Sequence, residues 1–297
     1  MITRWSITAA FCAALLPLAC NQSKPKISVV TTEEVPAPKK SDDSSQKIDV
    51  IDGNAVELAR ATVEPKCPVY GPLQPNEFSA KTAAGDILNA SRHVYSGFDG
   101  KHVYKVPTAV AYILADETAT APNLVTTPPT FVIEDPTVVS AVYVPTPTDL
   151  VALPKNWAVR YLMVTAKKAG TTKITYTYNG LTIYSTIHIV SYTPTQYEMG
   201  KKRYQTPEQA TTTDRYPCGS CHNNPDGLKE GATDHDARIQ GTKSDDALKL
   251  MTAWGKECNP DGQGGISKTV GYHLWHLTQE ELDGMPAYIR SLPAQGF

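Results

Sequence analysis

The sharpest hydrophobic pattern in the chain lies in KITYTYNGLTIYSTIHIV. Ile174, Tyr176 and Tyr178 alternate with threonines, and after Asn179-Gly180 the apolar positions resume at Leu181, Ile183, Ile187 and Ile189. A period of two predicts two half-buried strands, and Asn-Gly supplies the left-handed residues of a two-residue hairpin turn. Upstream, TFVIEDPTVVSAVYV and WAVRYLMVTAKKAGTTK are further β-rich segments parted by proline-containing turns. Several short strands with regular turn signals predict an all-β sandwich over residues 67–192. His93, His102 and His188 fall within it. His188 sits on the threonine-bearing face of the last strand, where a solvated or cross-strand-paired ring is expected, not a ligand. This region has no paired carboxylates, nucleophile elbow or phosphate loop, so it gives no reason to expect an enzyme.

After SYTPT the period changes, and residues 193–297 read as helical. QYEMGKKRY forms a first helix, KSDDALKLMTAWG a second capped by Ser244, and LTQEELDGMPAYIRSL a third. Thr278 and Glu281 make a capping box for the third, with Leu277 and Leu282 as its hydrophobic staple. Gly284 and Pro286 should disturb its interior, because proline removes a backbone donor and clashes with the preceding turn, so a kink or restart is expected near Met285. The fold class expected from the pattern is multidomain: a β-sandwich followed by a small all-α domain.

Composition adds the setting. The chain has 297 residues, 23 prolines, 15 tyrosines and a net charge of -2. Without a long basic run, the electrostatic footprint of a nucleic-acid binder is missing, so no nucleic-acid partner is expected. Arg4 followed by the apolar run 7–19 reads as an export signal, and residues 20–66 read as a polar linker too poor in apolar side chains to fold. The segment LLPLAC ending at Cys20 resembles the lipobox of bacterial lipoproteins, with Pro17 where leucine is usual. That resemblance implies a lipid on Cys20, contact with the membrane through that anchor, and a periplasmic or cell-surface location. Asn21, which is not aspartate, leans towards the outer membrane.

The chemistry is concentrated in RYPCGSCHNNPDG, where Cys218, Cys221 and His222 form a C-x-x-C-H segment. Two thiols at this spacing can be a redox dithiol, half of a zinc site, or the attachment point of a covalent haem with the adjacent histidine beneath the iron. A thioredoxin-like dithiol needs a βαβ setting, and TTTDRYPCGSCH has none. A zinc site would have to recruit Cys258 and another histidine. Cys12 falls in the signal and Cys20 would carry lipid, which leaves Cys67 and Cys258 as a candidate disulfide in an oxidising compartment.

Gly200 and Tyr204 in YEMGKKRY, the C-x-x-C-H segment and LTQEELDGMPAYIRSL together resemble the class I cytochromes c over residues 196–292. DPTVVSAVYV and VTAKKAGTTKITYTYNGLT resemble the bacterial immunoglobulin-like group 2 family over residues 130–191. The first resemblance implies one covalent haem c on Cys218 and Cys221, His222 as an axial iron ligand, and two helices crossing through Gly200, Tyr204 and Tyr288. Members of that family use a methionine shortly before the last helix. VGYHLWHLT contains none, so His273 is favoured as the distal metal ligand, with His276, Met251, Met285, His235 or an open position as alternatives. Trp275 could pack on the porphyrin or serve as an ordinary core residue.

The expected function is one-electron transfer at the bacterial envelope between redox partner proteins whose identity the sequence does not specify. An envelope-binding or adhesion protein with an accessory haem domain is the alternative, and a haem enzyme or gas sensor with an open sixth position is a third reading.

Overall fold

The computed structural model describes residues 61–113, 127–146, 157–205, 218–220, 222, 235, 237–260, 262–269, 275, 277–294 and 297. The export signal, Cys20 and most of the linker lie outside them. Among the described residues no helix is long and apolar enough to cross a membrane.

Nine strands build the sandwich: β1 (Ser79–Lys81), β2 (Ile87–Ala90), β3 (His93–Phe98), β4 (Lys105–Ile113), β5 (Thr130–Ile133), β6 (Val139–Val144), β7 (Trp157–Ala166), β8 (Gly170–Tyr178) and β9 (Leu181–Ser191). One sheet has the order β1-β2-β4-β7-β6, the other β3-β9-β8-β5. The predicted hairpin is β8–β9. Asn179 and Gly180 take positive φ of 48° and 77°, and Tyr176 pairs with Ile183 and Ile174 with Ser185. Ile174, Tyr176, Ile183 and Ile187 are completely buried, and they join Leu88, Val106, Val110, Leu162 and Val164 in one core cluster. Full burial of each such aliphatic side chain is worth roughly 1.5–3 kcal/mol. One feature has no simple hairpin signal. The chain leaves β2 in the first sheet and enters β3 in the second between Ala90 and His93, and β3 then runs parallel to β9.

The remainder comprises α1 (Pro194–Gln205), a single 3-10 turn (Cys218–Ser220), α2 (Ala237–Gln240), α3 (Asp245–Trp254), β10 (Lys256–Cys258), β11 (Ile266–Thr269) and α4 (Gln279–Ser291). The predicted caps are present. Ser244 accepts from the Ala247 amide, and Gly255 ends α3 in the left-handed conformation. At α4 the Thr278 hydroxyl accepts from the Glu281 amide while Glu281 accepts from the Thr278 amide, and both staple leucines are buried.

Two expectations are corrected here. The C-terminal part is not a separate all-α domain. The described molecule is mostly β with few helices, and strands continue past α3 as the antiparallel pair β10–β11. Glycines allow this turn: Gly262, Gly264 and Gly265 all take positive φ, which costs little without a Cβ. Residues far upstream complete the part. The Ala61 amide donates to the Leu277 carbonyl, the Tyr70 amide to the Gly262 carbonyl, and Cys67 is disulfide-bonded to Cys258. The second correction concerns α4, which runs through Pro286 as one helix. Gly284 and Met285 are buried against α1 and the apolar cluster there, so tertiary packing outweighs the lost backbone bond.

A polar knot joins the two parts. Arg290 of α4 is buried, and its guanidinium donates to Tyr192 Oη, Asp245 Oδ1 and the carbonyls of Lys243 and Tyr95. Tyr192 Oη also donates to Asp245 at 2.9 Å. Burial raises the Tyr192 pKa far above the usual phenol range, so it stays a neutral donor. Nearby, His102 pairs with Asp99 at 2.6 Å and stacks on Tyr197 of α1.

Candidate functional site

The first cysteine of the motif sits against α1 and α4. Cys218 opens the 3-10 turn and is buried, and its carbonyl accepts from the His222 amide at 3.0 Å, which folds the motif back on itself. This backbone bond fixes Cys218 and His222 on one tight turn. Gly219 lets the turn approach α1, since a Cβ there would lie 3.0 Å from the Tyr204 carbonyl oxygen.

The helices behind the turn cross at glycines. A Cβ on Gly200 would come within 2.1 Å of the Gly284 carbonyl oxygen, and one on Gly284 within 2.4 Å of the Gln196 carbonyl oxygen. Backbone therefore lies on backbone, and the aromatic side chains are displaced to the flanks. Tyr204 and Tyr288 have ring centroids 5.2 Å apart, and Tyr197 meets Tyr288 at 5.6 Å. Cys218 shares one apolar cluster with Tyr204, Leu282, Met285, Tyr288 and Ile289, with Trp275 packed at its edge. Arg203 is buried, its guanidinium 5.5 Å from the Trp275 ring centre.

His222 emerges half-buried from the turn, and its ring stacks on that of His235 at 3.8 Å with 16° between planes. His235 is buried and also lies 5.7 Å from Tyr204. The structure thus assembles one sulfur, two imidazoles and several aromatic rings from segments that the sequence separates. His235 is among the alternative distal ligands that the sequence offers, and its contact with His222 joins residues 13 positions apart.

Cys221, His273 and His276 lie outside the described residues. Met285 is buried within the Cys218 cluster, whereas Met251 lines a different cavity, beside Cys258. His188 is half-buried, with Nε2 2.9 Å from His93 Nδ1, and its ring stacks on Tyr95 at 4.6 Å. Burial, followed by the neighbouring His93 and Arg290, lowers its pKa to about 4. The cross-strand-paired ring expected for His188 is thus found, and its partner is His93 on the parallel neighbour β3.

Comparison with known proteins gives no matching family model and no significant match to a curated protein. Any functional reading therefore rests on the residues themselves. Their donor set fits a covalently held haem: a buried thiol on the same short turn as an imidazole, facing aromatic and apolar side chains. A zinc site that recruits Cys258 is not available while its sulfur is bonded to Cys67, because a disulfide sulfur is no thiolate ligand.

Proposed function

We propose that the chain is an exported one-electron carrier holding a single haem c, with thioethers from Cys218 and Cys221 and His222 as an axial ligand. The observation that supports this most directly is the Cys218–His222 turn, packed against the aromatic flank of two helices crossing at Gly200 and Gly284. A bound haem would supply a metal that changes oxidation state without bond making or breaking in a substrate. Cys218 and Cys221 would anchor it and His222 would present its imidazole, while Tyr204, Tyr288, Met285 and Leu282, clustered with Cys218, would limit water access. Low water access favours the less charged state of a buried cofactor.

For the distal position a histidine is the reading we adopt. The sequence favours His273, with His276 and Met251 behind it, while His235 lies face to face with His222 at 3.8 Å, which leaves no room for a porphyrin between the two rings and weighs against it. Met251 faces a different cavity, which weighs against it. Thioether ligation would raise the potential relative to imidazole, so the ligand choice sets the direction of electron flow with the partner proteins. The C-terminal part carries slightly more acidic than basic side chains, so it lacks the basic face that steers acidic partners. An anchor through Cys20 in the outer membrane would fix the carrier at the bacterial envelope, with residues 20–66 as the tether.

The test is expression with a haem-maturation system, followed by denaturation and acid-acetone extraction. Colour should stay with the wild type, and Cys218→Ala should retain a weaker single attachment or none. Colour leaving the wild type refutes the reading. Low-temperature EPR of His235→Ala, His273→Ala and His276→Ala then identifies the distal ligand as the variant that turns high-spin. Fatty-acid labelling lost in Cys20→Ala tests the anchor.

A further inference from the structure

A second site lies away from the Cys218 cluster. Where the sandwich meets the C-terminal part there is a cavity of about 780 Å³, bounded by the sheet-changing stretch from Asn89 to His93, the N-terminal half of α3, and β10–β11. Its size falls in the range of pockets that bury small organic ligands.

Two properties of the lining define what it would take. The first is an apolar, aromatic body formed by Tyr70, Phe78 and Met251. The second is charge. Lys243 Nζ lies 3.7 Å and Lys268 Nζ 2.8 Å from the Glu257 carboxylate, so two ammonium groups face one carboxylate and a positive charge remains over. Arg92, also on the lining, is already neutralised by Glu77 at 3.1 Å.

We propose that this cavity binds an aromatic organic anion, a carboxylate or sulfonate. Its ring system lies among Tyr70, Phe78 and Met251, and its charge turns towards Lys243 and Lys268. Helix α3 serves both sites: Ala247 and Met251 face the cavity, while Ala253 belongs to the cluster around Cys218. Occupancy of the cavity would therefore press on an element that also packs behind the motif. Binding itself does not depend on haem attachment.

The experiment uses the full chain and isothermal titration calorimetry with 8-anilinonaphthalene-1-sulfonate as the anionic probe and N-phenyl-1-naphthylamine as its neutral counterpart. The wild type should bind the sulfonate saturably at one site. The double variant Lys243→Gln/Lys268→Gln, which alters partly exposed side chains, should weaken the sulfonate by about tenfold and leave the neutral amine unchanged. Met251→Trp, which fills the apolar end, should abolish both. Absence of saturable binding, or equal sulfonate affinity in the folded double-lysine variant, overturns the proposal. Unchanged binding in a folded Met251→Trp does so as well.

Discussion

The sandwich and the C-terminal part reach stability by different means. In the sandwich, strand after strand contributes alternate side chains to one aliphatic core, and backbone pairing follows from the same alternation. The C-terminal part has a smaller cluster in which two tyrosines, a cysteine and a methionine join Leu277, Leu282, Ile289 and two alanines. It depends on a few long-range pairings: Cys67 with Cys258, Gly200 with Gly284, and Arg290 with Asp245 and Tyr192. Repetition makes the first region tolerant, since no single contact defines it. The second is vulnerable at each pairing.

The largest separation between the regions should come from Arg290→Met. It removes the charge that Asp245 and Tyr192 face, and deleting one partner of a buried ionic group typically costs about 3–5 kcal/mol. Asp245 is partly exposed and can regain some hydration, so the lower end, about 3 kcal/mol, is expected. Hydrogen exchange should show α4 and α3 amides opening while the β8–β9 ladder stays protected. Uniform loss of protection would mean that the two regions unfold as one.

Next is the double variant Cys67→Ser/Cys258→Ser. The bridge spans 191 positions, and releasing such a loop should cost about 2–4 kcal/mol in urea unfolding. The effect should appear first in β10–β11 and in residues 61–70, and a loss centred on the sandwich core would contradict the division drawn above. Gly200→Ala sharpens the comparison further. Helix propensity alone favours alanine by about 1 kcal/mol, yet the new methyl would meet a backbone oxygen that cannot rotate away. Overpacking should win with a net loss of about 2 kcal/mol. A thermal midpoint equal to or above the wild type would show that α1 and α4 can slide apart at no cost.

How much of this was legible in the sequence differs between the regions for a physical reason. The β8–β9 hairpin and both helix caps were readable because their determinants are local: alternation with Asn-Gly, Ser244 before α3, and Thr278 with Glu281. The β10–β11 pair was not, since ISKT is exposed throughout and its strand form is set by a glycine turn and a disulfide from the far end of the chain. Nor was the continuity of α4, where local chemistry at Pro286 argued for a break that packing of Gly284 on Gly200 overrides. Cys218 and His222 were found through their motif. The contact of His235 with His222, and the cavity beside Cys258, arise only once distant segments meet.

The smallest expected effect is a pH dependence belonging to the sandwich alone. His93 and His188 share one hydrogen bond between neutral rings at 2.9 Å, with Tyr95 stacked on His188 and Arg290 and Arg92 as the nearby cations. Burial first, then the neighbouring His93 and Arg290, brings His188 down to about 4, and burial with Arg92 also lowers His93. An unfolded histidine titrates near 6.5. Between those values the unfolded chain binds more protons than the folded one, so stability is fully present above about 6.5 and is lost as pH falls towards 4. The window from pH 6.5 to 5.0 isolates the histidines from the lowered carboxyls of Glu77, Asp99 and Asp283, which titrate lower still. Partial solvent access screens the effect, so the loss across that window should be about 1 kcal/mol. Urea midpoints at the two pH values should therefore differ for the wild type and differ less for His188→Gln, in which only the lowered His93 remains of the pair. An equal pH dependence in both proteins would assign it to another group and leave the His93–His188 pair with a packing role only.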